Sequence, residues 1–147
     1  EFLAAGGAFG IGSDSNVLIG IADELRQLEY SQRLGRRARN LLAEPGGSNG
    51  RALFDAATVG GAQALARRAG RIEAGADADL VSLDAGHPTL AGKSGDQILD
   101  AWIFAGGGTI DCVWTRGKKR VEGGRHPLRE TIAARYRRVM AGLSGRD

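Results

Sequence analysis

The stretch Ala8-Phe9-Gly10-Ile11-Gly12-Ser13-Asp14-Ser15-Asn16-Val17 constrains the fold of this chain more than any other. Ala8, Phe9 and Ile11 form an apolar run that suits a buried strand of a parallel sheet, and Gly12-Ser13 stops it. Gly12 lets the backbone turn or approach a ligand closely. Asp14 would then project from the carboxyl end of a strand, the end at which α/β architectures carry their chemistry. The same residues also suit an Asx turn or a helix N-cap that does no more than close the strand.

The chain beyond that turn alternates helical patterns with glycine-rich punctuation. A helix is expected over residues 18 to 42: Ile21, Leu25 and Leu28 form one apolar stripe, and Tyr30, Leu34, Ala38 and Leu41 a second. Glu29 precedes Arg33 by one turn, a supporting ion pair. Glu44-Pro45-Gly46-Gly47-Ser48-Asn49-Gly50 is a loop. A second helix is expected from Arg51 to Arg68, with Leu53, Ala57, Ala64 and Leu65 on its apolar side. Gly60-Gly61 lowers its helix propensity, which close packing against a neighbour would explain. Ala78 to Asp84 reads as a strand, Gly95 to Ala105 as a helix and Gly106-Gly107-Gly108 as a turn. Thr109 to Thr115 and Arg120 to Glu122 read as the arms of a hairpin turning at Arg116 to Lys119. Pro127 opens a last helix with Leu128, Ile132, Tyr136, Val139 and Leu143 on one stripe. The composition shifts near Arg68, where a domain boundary is expected: 1–68, 69–126 and a terminal helix 127–147.

Two groups of residues carry a resemblance. Gly12-Ser13-Asp14-Ser15 and Ala78-Asp79-Leu80-Val81, the latter following Gly70-Arg71-Ile72-Glu73-Ala74-Gly75, resemble the carboxyl-terminal third of the amidohydrolase superfamily. Leu28-Glu29-Tyr30 and Arg39-Asn40 narrow this to the deiminases that act on formimidoylglutamate. The resemblance implies an α/β fold made of the last strand and helices of a (β/α)8 TIM barrel plus part of a small β-sandwich. It implies hydrolysis of N-formimidoyl-L-glutamate, a small-molecule substrate, to N-formyl-L-glutamate and ammonia, in histidine degradation. It also implies a zinc ion or another divalent metal, with Asp14 as metal ligand and proton shuttle, and a homodimer. A complete barrel needs roughly 200 residues or more, and this chain has 147. The His-x-His pair and the other ligands of such a site are absent from it. A catalytic zinc is held by about three protein ligands, so the chain alone is expected to be inactive without the amino-terminal half of the barrel. Two other readings stay open: a superfamily deaminase acting on guanine or a related ring, and a non-catalytic α/β interaction domain.

The remaining chemistry-bearing residues point to structural roles. Asp79 and Asp84 bracket a short strand with no histidine at ligand spacing. His87 and His126, the only histidines, each precede a proline and are expected in turns or at helix starts. Cys112, the only cysteine, excludes an internal disulfide and alternates with apolar residues as a buried thiol would. The formal charge is +3. Arg33, Arg36, Arg37 and Arg39 read as a solvated helix face, with no interleaved aromatics to stack on bases, so no nucleic acid partner is expected. No apolar run approaches the ~18 residues of a membrane span. Glu1 to Gly7 lacks the basic start of a signal peptide, and a cytoplasmic location is expected.

Overall fold

The computed structural model describes residues 2–106 and 110–144. In chain order the elements are α1 (Ile21–Arg36), α2 (Asn49–Ala64), β1 (Leu80–Leu83), α3 (Asp96–Phe104), β2 (Ile110–Thr115), β3 (Lys118–Val121) and α4 (Arg129–Ser144). Single 3-10 turns stand at Leu3–Ala5 and Pro88–Leu90.

The core lies between the first three helices. Leu25 of α1, Leu53 of α2 and Ile103 of α3 are fully buried, and Phe9, Ile11, Leu28, Leu42, Ala57, Trp102 and Phe104 pack against them. Helix α3 follows β1 in the chain yet packs on both α1 and α2. Its Asp100 carboxylate sits over the start of α2, where Oδ1 accepts from the Gly50 amide at 2.7 Å and from Ser48 Oγ at 2.9 Å. A negative charge there complements the helix dipole and satisfies an otherwise orphaned amide. Ser48 Oγ also accepts from the Arg51 amide and caps α2.

Glycine sets two of the closest approaches. A Cβ at Gly60 would stand 2.1 Å from the Phe9 carbonyl oxygen, and one at Gly50 would stand 2.6 Å from the Asp100 nitrogen. The Gly60-Gly61 pair, costly to a helix on propensity alone, therefore lets α2 lie directly on the backbone of residues 9–10.

Among the helices and the first apolar run, three expectations need correction. Helix α1 does not reach residue 42: Arg37 and Asn40 adopt left-handed backbone, φ 52° and 54°. Ala38 and Leu41 thus lie beyond the helix, and Tyr30 and Leu34 are exposed. Apolar spacing carried on across a point where the backbone changed hand, which periodicity does not register. Helix α2 begins at Asn49 rather than Arg51 and ends at Ala64, closed by Ala66 at φ 51° and by the Arg67 amide donating to the Ala62 carbonyl at 2.8 Å. Residues 7–13 pack on the core but belong to no strand. A strand requires a ladder partner, and no described strand lies beside this segment.

The sheet is antiparallel, in the order β1-β2-β3. Leu80 faces Trp114 and Ser82 faces Cys112, with a register shift after Ser82. At that shift Ser82 Oγ accepts the Cys112 amide at 3.0 Å. Arg116 and Gly117 both have positive φ, 50° and 73°. They make a two-residue hairpin turn whose twist matches the strands, so β3 starts at Lys118, earlier than expected. Thr109, and Gly107 and Gly108 of the expected glycine turn, lie outside the described residues. Helix α4 starts two residues after Pro127, and none of its residues is buried. The whole is a mixed helix and strand structure. No described helix is long and apolar enough to cross a membrane.

Candidate functional site

Asp14 occupies the second position of a tight turn closed by the Asn16 amide donating to the Ser13 carbonyl at 2.7 Å. Its φ is 42°. Aspartate is one of the few residues besides glycine and asparagine that visits this region readily. Its carboxylate is exposed. The turn follows directly on Phe9-Gly10-Ile11-Gly12, which form one wall of a cleft of about 760 Å³. Glu24 and Leu28 of α1 line the same cleft. Phe9 and Ile11 anchor their wall in the core, so the Asp14 turn rises from a fixed base.

Asn16 ties the turn to α1. Its Nδ2 donates to Glu24 Oε1 at 2.8 Å. Glu24 lies in the first turn of α1, where a carboxylate is favoured by the exposed amides. This pair was not legible in the sequence. An asparagine and a glutamate eight positions apart carry no spacing signal until the loop between them is folded.

The segments that narrowed the resemblance meet through Asn49, whose side chain bridges buried Glu29 and exposed Asn40. Glu29 is fully buried. Its Oε1 accepts from Arg33 Nε at 2.8 Å and from Asn49 Nδ2 at 3.1 Å, while Oε2 has no partner among the described residues. Asn49 Nδ2 also donates to Asn40 Oδ1 at 3.0 Å, and Asn49 Oδ1 accepts the Ala43 amide at 3.0 Å. The expected Glu29–Arg33 pair is therefore present, but as part of a buried network that pins the 37–48 loop between α1 and α2. Arg33 itself lies 5.2 Å from the ring centroids of both Tyr30 and Phe104. Its guanidinium is thus partnered by the Glu29 carboxylate and two aromatic rings.

The other candidates have structural partners. Asp77 and Asp79 both bind Arg67, at 2.7 Å and 3.1 Å. The Arg67 guanidinium, hydrogen-bonded to Asp77, holds that carboxyl below its ordinary range. Asp79 Oδ1 also accepts the Arg116 amide at 2.7 Å. Asp84 caps a turn through the Gly86 amide. Nδ1 of His87 lies 2.8 Å from Thr89 Oγ1, and Nδ1 of His126 accepts the Leu128 amide at 3.1 Å. Cys112 is buried in β2.

Among the described residues no three His, Cys, Asp or Glu side chains gather as a metal site would require. The donor set present, Asp14 with Glu24 engaged by Asn16, does not fit a complete zinc site. At most it contributes one ligand to one.

The model of the amidohydrolase family matches residues 1–120. The formimidoylglutamate deiminase of Pseudomonas aeruginosa is 45% identical over 145 residues, which are 97% of this chain and 32% of that enzyme. Among solved structures, an amidohydrolase from Brucella melitensis superposes with a TM-score of 0.88 at 55% identity, over 98% of this chain and 32% of that one. The zinc complex of the atrazine chlorohydrolase of Arthrobacter aurescens gives a TM-score of 0.72 at 26% identity, over 90% of this chain and 30% of its own. This chain thus spans about a third of the length of the relatives it matches. With a family model matched over most of its length and a like fold in solved members, the chain belongs to the amidohydrolase family.

Proposed function

We propose that this chain is the carboxyl-terminal part of a zinc-dependent amidohydrolase that hydrolyses N-formimidoyl-L-glutamate to N-formyl-L-glutamate and ammonia. The observation that carries this reading is the likeness to the Pseudomonas aeruginosa formimidoylglutamate deiminase, which runs through nearly the whole chain. It is supported by the Glu29, Asn40 and Asn49 network, which bonds together the two segments that narrow the resemblance. The same reading makes residues 1–68 the end of a TIM barrel, 69–126 part of a small β-sandwich and 127–147 a terminal helix. It makes the complete enzyme a cytoplasmic homodimer.

Hydrolytic deimination adds water at an amidine-type carbon and expels nitrogen as ammonia. A bound divalent metal supplies water as a nucleophile near neutral pH. The part assigned to this chain is the Asp14 carboxylate, which takes the proton of the attacking water and returns it to the leaving nitrogen. Its exposure leaves it accessible to a bound metal and to that exchange. The other metal ligands, and the cations that a dicarboxylate substrate needs, fall to polypeptide that this chain does not span. Alone, it is inactive.

The test uses the longer protein that carries this chain. Its kcat/KM for formimidoylglutamate is expected to exceed that for guanine by ~10²-fold or more, because a site built for two carboxylates is left with unpaired charges by a neutral ring. Ser15 to Ile19 offers no aromatic surface for such a ring. Asp14→Asn is expected to lower kcat by ~10²-fold or more. A preference for guanine leaves the family membership standing and removes the deiminase. Wild-type turnover by Asp14→Asn removes Asp14 from the mechanism.

A further inference from the structure

We propose that Glu24 is a positioning residue for Asp14, acting through Asn16. This rests on the role of Asp14 given above. The segment 13–20 has little else to hold it. Val17, Leu18 and Ile19 are 96%, 72% and 81% exposed. Among the described residues, the Asn16–Glu24 bond is the one side-chain hydrogen bond that leaves this segment. Asn16 therefore works at both ends: its amide closes the turn that holds Asp14 at positive φ, and its side chain fastens that turn to α1.

The far end of the tie is rigid. Glu24 is followed by Leu25, which is fully buried in the core, and by Arg26, whose Nη1 donates to the Ile103 carbonyl of α3 at 3.1 Å. The Glu24 amide also donates to the Gly20 carbonyl at 3.0 Å, closing the first turn of the helix. A carboxylate held in left-handed backbone relaxes toward other conformations unless its surroundings over-determine it. Reactivity is steeply sensitive to displacements on the order of 1 Å. Loss of the tie thus misplaces Asp14 without touching it.

The experiment compares Glu24→Ala, Glu24→Gln, Asn16→Asp and the Asn16→Asp/Glu24→Gln double variant in the longer protein, with Asp14→Asn as reference. Glu24→Ala is expected to speed amide hydrogen exchange across residues 13–20, reduce retained zinc after dialysis and lower kcat ~10-fold while KM changes little. Glu24→Gln keeps the acceptor and recovers most of that loss. Asn16→Asp sets two carboxylates against each other and reproduces it. The double variant keeps the net charge, exchanges donor and acceptor, and restores exchange protection, zinc and kcat together.

Exchange across 13–20 that is unchanged in Glu24→Ala overturns the proposal whatever Asp14 does. So does a double variant as impaired as Asn16→Asp alone, since that places the needed carboxylate at Glu24 itself. If Glu24→Ala does not fold, the paired Asn16→Asp and double variants decide. Full kcat in Glu24→Ala beside an inactive Asp14→Asn removes the positioning role alone. A fully active Asp14→Asn removes both readings.

Discussion

Gly60 and Gly35 show how the same residue type does opposite work in two helices. At Gly60 a side chain has no room, because the Phe9 backbone occupies the space a Cβ would need. At Gly35, near the end of α1, nothing lies within 4 Å of that position. Gly60→Ala is expected to destabilise by about 2 kcal/mol or more, since a backbone contact cannot swing aside as a side chain would. Gly35→Ala is expected to stabilise by about 0.5–1 kcal/mol through helix propensity. Urea unfolding of the two variants checks the opposite signs, and destabilisation by both would undo the account of Gly60 as a packing glycine. Glu29 teaches a related lesson: its spacing to Arg33 was legible, and its burial was not.

The join between α2 and the sheet is electrostatic. Arg67 follows the end of α2, Asp77 and Asp79 precede β1, and Asp79 holds the Arg116 amide of the hairpin turn. The Gly117 amide also donates to the Ala78 carbonyl at 2.8 Å. Because Arg67 lowers the folded-state pKa of Asp77, the carboxylate's contribution to stability is present above its unfolded value of about 3.9. It is lost as pH falls through the lower folded value. Arg67→Gln should abolish this dependence. The drop in urea midpoint between pH 5 and pH 3 is therefore expected to be smaller in Arg67→Gln than in the parent, and equal drops would assign the pH dependence to other groups. Both partners are about one-third exposed, so the effect on stability at neutral pH is small.

Taken whole, the molecule leaves much apolar surface uncovered. Val17, Leu18, Ile19 and Leu34 are largely exposed, and Leu128 just before α4 and Ile132, Tyr136, Val139 and Leu143 along it are each more than half exposed. Exposed apolar side chains in such number favour contact or association. The 147-residue chain by itself is expected to bind a hydrophobic dye and to self-associate, and to bind zinc no better than a surface carboxylate does. Sedimentation, dye fluorescence and zinc titration test this together. A monomeric, dye-silent chain with micromolar zinc affinity would contradict it.

The sequence by itself determined the helices that bury a periodic face, the hairpin around Arg116-Gly117 and the structural character of His87, His126 and Cys112. In each case the cause is local: an apolar stripe, a left-handed glycine, a proline after a histidine. It also carried the family membership, through Gly12-Ser13-Asp14-Ser15 and Ala78-Asp79-Leu80-Val81. Only the tertiary structure decided where α1 stops, because Arg37 changes backbone hand while the apolar spacing runs on. It alone brought α3 back onto α1 and α2, buried Glu29 against Asn49, and joined Asn16 to Glu24. These are contacts between residues distant in the chain, and such contacts follow from how elements dock rather than from the order of side chains along any one of them.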